Sequence, residues 1–209
     1  MNDLRNCLKE PINEIFEAAQ LLSGAVNSHL AGNKIKAEEL ILKANNPLIY
    51  EWTESIWGSN GIYSALVKKY GTPSILPKEL RDPRRMPTKT DELILLQRDG
   101  FHCRFCGIPV IKKETRDFLN KQYPLALSWG KTNKEKHAAF QTMWVQFDHI
   151  TPHARGGKTD LNNLIITCAP CNYGRMNFLL DEIGLKLNPL KAIKSDKWDG
   201  LERVFIRHQ

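Results

Sequence analysis

Four of the chain's five cysteines stand in two Cys-x-x-Cys pairs, Cys103/Cys106 and Cys168/Cys171. Four thiolates fill the coordination shell of one tetrahedral zinc ion. Between the pairs lies FDHITPHARGGKTDLNNLIIT, residues 147–167, which sets a carboxylate and an imidazole side by side at Asp148-His149. Imidazole is the side chain whose ordinary pKa lies nearest neutrality. Disulfide pairing is the other reading of the cysteines. No cleavable leader and no apolar run of membrane-spanning length is found, so the expected setting is soluble, cytoplasmic and reducing, which favours zinc.

These residues need a scaffold, and the surrounding pattern supplies one. Val145 to Ile150 alternates, Leu164 to Thr167 is a short β-branched run, and Pro152 and Gly156-Gly157 punctuate the connection, which predicts a hairpin. A helix is predicted from Pro170, with Asn172 near its first turn, continuing through Arg175 to Leu185 and stopping at Gly184. Strand, loop, strand and helix in this order bring Asp148, His149 and Asn172 toward one point in front of the zinc. Asn172 also reads as a helix N-cap, and Asp148-His149 taken alone would be an ordinary strand end.

On these residues the chain resembles the HNH endonuclease family, whose ββα-metal fold is built on such a hairpin and helix. Its pattern has counterparts in Cys103/Cys106, Asp148-His149-Ile150-Thr151-Pro152, Gly156-Gly157, Asn163-Leu164 and Cys168/Cys171-Asn172. The resemblance runs from Thr90 to about Leu185. It implies metal-dependent hydrolysis of DNA, leaving a 5′-phosphate and a 3′-hydroxyl. His149 would be the general base, Asp148 and Asn172 would hold one divalent ion, and Asn163 would support His149 through the hairpin. Asn172 stands where many members have a third His, and two oxygen ligands have the character of a magnesium or manganese site. Arg155, Lys158 and Arg175, joined by His153, flank the hairpin and helix and are the expected phosphate contacts. The competing reading is a zinc-braced DNA-binding module without catalysis. Restriction, phage defence and mobile-element homing all lie within the family's breadth.

The remaining sequence suggests an α+β protein with a helical N-terminal domain over residues 1–72. A Pro-rich basic linker (73–89), the nuclease domain (90–185) and a C-terminal tail packed on it (186–209) follow. A net charge of +7 over 209 residues and a pI near 9.2 agree with a polyanionic partner, expected to be double-stranded DNA. Helical spacing is found over residues 1–30, with a break near Pro11, over 33–44, and from Pro47 onward. This part is read as a dimerisation or partner-docking unit, its aromatics as core, and Cys7 as a buried apolar residue. Arg84-Arg85 in the linker are either phosphate contacts or solvated. Thr88 or Thr90 should cap a helix over 91–98 whose Leu93, Ile94 and Leu96 face the core. Residues 107–147 should hold helices near 113–121 and 134–144, with His137 on the surface of the second. The tail should form a short helix carrying Trp198, Leu201 and Phe205, with Lys191, Lys194 and Lys197 extending a DNA-facing surface.

Overall fold

The structure, a computed structural model, describes residues 4–188 and 197–206; Lys191 and Lys194 lie outside the described residues. Its helices are α1 (Asn13–Leu30), α2 (Lys34–Ala44), α3 (Pro47–Trp57), α4 (Ile62–Tyr70), α5 (Lys89–Asp99), α6 (Lys113–Gln122), α7 (Ala138–Thr142) and α8 (Ala169–Arg175). A two-stranded antiparallel sheet of β1 (Val145–His149) and β2 (Leu164–Cys168) lies just before α8. The class is α+β, as the sequence suggests.

The N-terminal helices form where apolar spacing and caps coincide. In α1 the residues Ile15, Ala18, Ala19, Leu22, Ala25 and Val26 make one buried stripe against α2, which answers with Ala37, Ile41 and Ala44. Asn33 caps α2 by accepting from the Lys36 amide, and Asn46 caps α3 by accepting from Leu48, with Pro47 in its first turn. The helical piece expected ahead of Pro11 is not formed, and α1 begins only at Asn13. Ahead of it, Arg5 is bound as a short extended segment to Gly184 and Lys186.

One apolar core runs through both halves of the chain, from Leu8 to Val204. Helices α3 and α4 lay their buried faces on α7 and α8, so residue 72 marks no break in the core. Gly174 of α8 makes this approach possible, because a Cβ there would stand 2.4 Å from Cγ2 of Ile56. A side chain there would force Ile56 and Leu8 to shift.

Several expectations need correction. In α5 the inward residues are Leu95 and Leu96, while Leu93 and Ile94 are 59% and 40% exposed. Asp99 fixes this phase, because it is wholly buried at the end of α5 against β2. The helix expected over 134–144 is a 3-10 turn (Asn133–Glu135) followed by α7. His137 is not on the surface: it is fully buried, its Nε2 lies 2.9 Å from the Ile41 carbonyl, and its ring meets Phe140 edge to face. Helix α8 ends at Arg175 and does not continue to Leu185; Met176 turns the chain away with φ of 51°. The described part of the tail, 197–206, touches several elements. Leu201 is buried, the Trp198 indole donates to the Val110 carbonyl, and Arg203 donates to Ser23 and Asn27 of α1. Lys197 is exposed.

The environment of His137 gives a pH test. Burial pushes its pKa from 6.5 down to about 4, so between those values the unfolded chain takes up a proton that the fold refuses. The neutral ring's contribution is complete above about pH 6.5 and is lost as pH falls toward 4, by up to about 3 kcal/mol. Chemical denaturation of wild type and His137→Gln across this range should show a shallower acid slope in the variant. Equal slopes would contradict the assignment.

Candidate metal centre and nuclease site

Cys103 and Cys106 lie in a tight knuckle after α5, closed by bonds from the Cys103 amide to the Ile108 carbonyl and from the Gly107 amide to the Cys103 carbonyl. Cys168 ends β2 and Cys171 lies in the first turn of α8. The four sulfurs all lie within 4.8 Å of one another, with Cys106 Sγ and Cys168 Sγ 3.7 Å apart. A zinc–sulfur bond of about 2.3 Å puts the corners of a tetrahedron about 3.8 Å apart, so the residues fit a structural ion such as zinc. The ionisation of the cluster agrees. Burial opposes a charge on Cys103, yet hydrogen bonds from Cys106, Cys168 and Cys171 hold its pKa well below the ordinary thiol value. Cys171 is pushed well above it by its hydrogen bonds with Cys103, Cys106 and Cys168. A divalent cation relieves this conflict by taking all four as thiolates.

Asp99 braces the metal centre from behind. Its carboxylate accepts from the Ile166 amide, from Arg98 Nε and Nη2, and from Arg104 Nη1 of the knuckle. Arg98 Nη2 continues to the Leu164 carbonyl. The sequence reading missed Asp99, although it sits between Arg98 and Gly100 directly ahead of the first knuckle.

The hairpin carries the other polar residues. Its register pairs Asp148 with Ile165 and His149 with Leu164. Asn163 closes the long loop: its Oδ1 accepts from the Thr151 amide at 2.9 Å, and its Nδ2 donates to the carbonyls of Thr151 and Lys158. Gly157 packs under this closure, where a Cβ would lie 1.8 Å from the Thr151 carbonyl oxygen. Gly156 adopts a left-handed φ of 91°.

His149 is 8% exposed, and its Nε2 lies 2.9 Å from Thr159 Oγ1. Thr159 Oγ1 itself donates to the Arg84 carbonyl, so its proton is committed and His149 Nε2–H must be the donor. The lone pair of the ring is therefore on Nδ1. Burial, reinforced by the charges of His153, Arg175 and Arg85, pushes the His149 pKa down to about 4, so the imidazole is neutral at neutral pH. The strap that holds Thr159 comes from the expected linker. The Asp82 carboxylate accepts from the Thr159 amide and its carbonyl from His153 Nε2, while Arg84 Nη2 donates to the Thr159 carbonyl.

Asp148 and Asn172 take different partners. Arg175 Nη2 binds Asp148 Oδ1 at 2.7 Å and Oδ2 at 2.8 Å, and the guanidinium also donates to the carbonyls of His149, Ile150 and Phe178. Burial pushes the Asp148 pKa up, opposed by this partner. The Asn172 amide sits instead 3.5 Å from Gln146 Oε1, and the N-cap of α8 is Cys168, so Asn172 is not the cap. With both carboxylate oxygens held by a fixed cation, Asp148 and Asn172 as placed do not fit a divalent ion between them.

Arg175 is also corrected as a phosphate contact: it is 0% exposed, because α8 lays its last turn over β1 and not toward solvent. Among the other expected contacts, Arg155 is paired with Glu182 and His153 is turned to the strap, while Lys158 is exposed.

Residues 133–177 match the family model described as HNH endonuclease. The chain carries a segment that matches the HNH endonuclease model. That segment contains the hairpin, α8, Cys168 and Cys171, whereas Cys103 and Cys106 reach it through space from outside the matched residues. No curated protein and no solved structure matches the chain.

Two variants separate the structural parts. Cys103→Ser should lose the bound zinc, measured by metal analysis, together with the fold of the HNH segment, since a structural zinc contributes on the order of 10 kcal/mol. Arg175→Met leaves a buried carboxylate without its partner and should destabilise the chain by about 3–5 kcal/mol in urea. An Arg175 variant of unchanged stability but weaker DNA binding would restore the surface role.

Proposed function

We propose that the chain is an HNH endonuclease that hydrolyses phosphodiester bonds in DNA, with His149 as general base acting through Nδ1. The observation that carries this reading is the neutral, buried imidazole of His149, held in one tautomer by Thr159 inside the HNH segment. A base must keep one lone pair free, and this tautomer leaves it on Nδ1. Lys158, with Arg85 on the strap, supports phosphate binding around the loop. The requirement for magnesium or manganese rests on the family likeness, because Asp148 and Asn172 do not form a ready seat for the ion.

The Asp148–Arg175 pair gives substance to a second reading, a zinc-braced module that binds DNA without cutting it. The two separate on supercoiled plasmid incubated with zinc-loaded protein and magnesium. The proposal expects nicked circles, lost in His149→Ala while gel-shift binding to the same plasmid is kept. An intact plasmid bound equally well by both proteins would establish the binding module.

A further inference from the structure

A cavity of about 430 Å³ lies between the N-terminal helices and the HNH segment. Its volume falls in the range of about 300–1,000 Å³ typical of small-ligand sites. Its walls are aromatic. Trp57 of α3 meets Tyr173 of α8 edge to face at 5.4 Å, and Trp129 meets Trp144 at 6.2 Å. Arg116 lies 3.8 Å from the Trp129 ring centroid and 5.3 Å from that of Trp144, a cation–π contact that stiffens this wall. Gln141 brings an amide into the lining although the residue is only 3% exposed, and Lys136 adds a cation. No side-chain hydrogen bond joins the Gln141 amide to another described residue.

An ordinary apolar core would close over these rings. Here they line open space instead, with an amide able both to donate and to accept. Aromatic faces, one amide and one cation are the groups that recognise a planar heterocycle with a hydrogen-bonding edge and an attached phosphate. The position is suited to nucleic acid. Tyr173 follows Asn172 in α8, and Trp144 immediately precedes β1, with its carbonyl accepting from the Ala169 amide at the start of α8.

We propose that this cavity binds one unstacked nucleobase of a nucleic-acid strand, taken between the aromatic walls and read along its edge by Gln141, with Lys136 on the adjoining phosphate. The proposal goes beyond cleavage and does not need His149 to be a base. It makes the N-terminal helices part of the substrate site, because Trp57 belongs to α3.

The test is tryptophan fluorescence of the full, zinc-loaded chain titrated with three probes: a short single-stranded DNA, a fully paired duplex of the same sequence, and free dAMP. The strand should quench the fluorescence saturably and more tightly than the duplex. Tyr173→Ala, at a position 39% exposed, and Gln141→Leu, of similar volume, should each weaken the strand by roughly tenfold with the circular dichroism unchanged. His149→Ala should bind as wild type does, which separates this claim from the catalytic one. Tight binding of dAMP without preference for the strand would overturn the assignment to nucleic acid and make the cavity a free-nucleotide site. Unchanged affinity in both folded cavity variants would overturn the cavity as a base site altogether.

Discussion

A buried ion pair, Asp148 with Arg175, fixes how the helix of the HNH segment lies on its hairpin. Taking two charges out of water is expensive, and their attraction offsets the cost only when the remaining donors are satisfied. Arg175 meets most of that demand with three backbone carbonyls, from His149, Ile150 and Phe178, besides the carboxylate. Helix α8 has seven residues, too few to be stable alone. It is held at its start by the cysteine cluster, and toward its end by the close fit of Gly174 on Ile56 and by this pair. The cluster fixes the first turn and the other two constraints fix the last, which is why so short an element can carry a site.

The parts of the site that obey fixed local spacing were legible in the sequence. The Cys-x-x-Cys pairs, the two strands, the Gly-Gly loop and the closing Asn163 each depend on neighbours a few residues away. Arg175 was read as a phosphate contact from its place beside the hairpin and helix, whereas the fold buries it. Only the stop at Met176 turns it inward, and nothing local announces that stop. Thr159 and Asp82 were invisible for another reason: they meet across 77 residues of chain, and such contacts leave no periodicity. The Pro-rich stretch holds one 3-10 turn, Lys78–Leu80, and its role as a strap over His149 follows from the fold alone.

His137 and Leu95 show the same limit in the core. Helix α7 is only five residues long and buried on all sides, so no polar face identified His137 as interior. In α5, four consecutive apolar residues, Leu93 to Leu96, left the helical phase open until Asp99 was seen to point inward. The N-terminal helices were legible as helices. Their packing directly on α7 and α8, within one core, was not.

The central claim concerns charge: in the free protein a fixed guanidinium, and not a bound divalent ion, neutralises Asp148. The most direct measurement is electron paramagnetic resonance of manganese added to the zinc-loaded full chain without nucleic acid. The account predicts that Asp148→Asn leaves the free-ion signal at every manganese concentration the same as wild type, because Asp148 holds no ion in either. A wild-type loss of free-ion signal that Asp148→Asn abolishes would show that the metal takes the carboxylate from Arg175 unaided, and would contradict it.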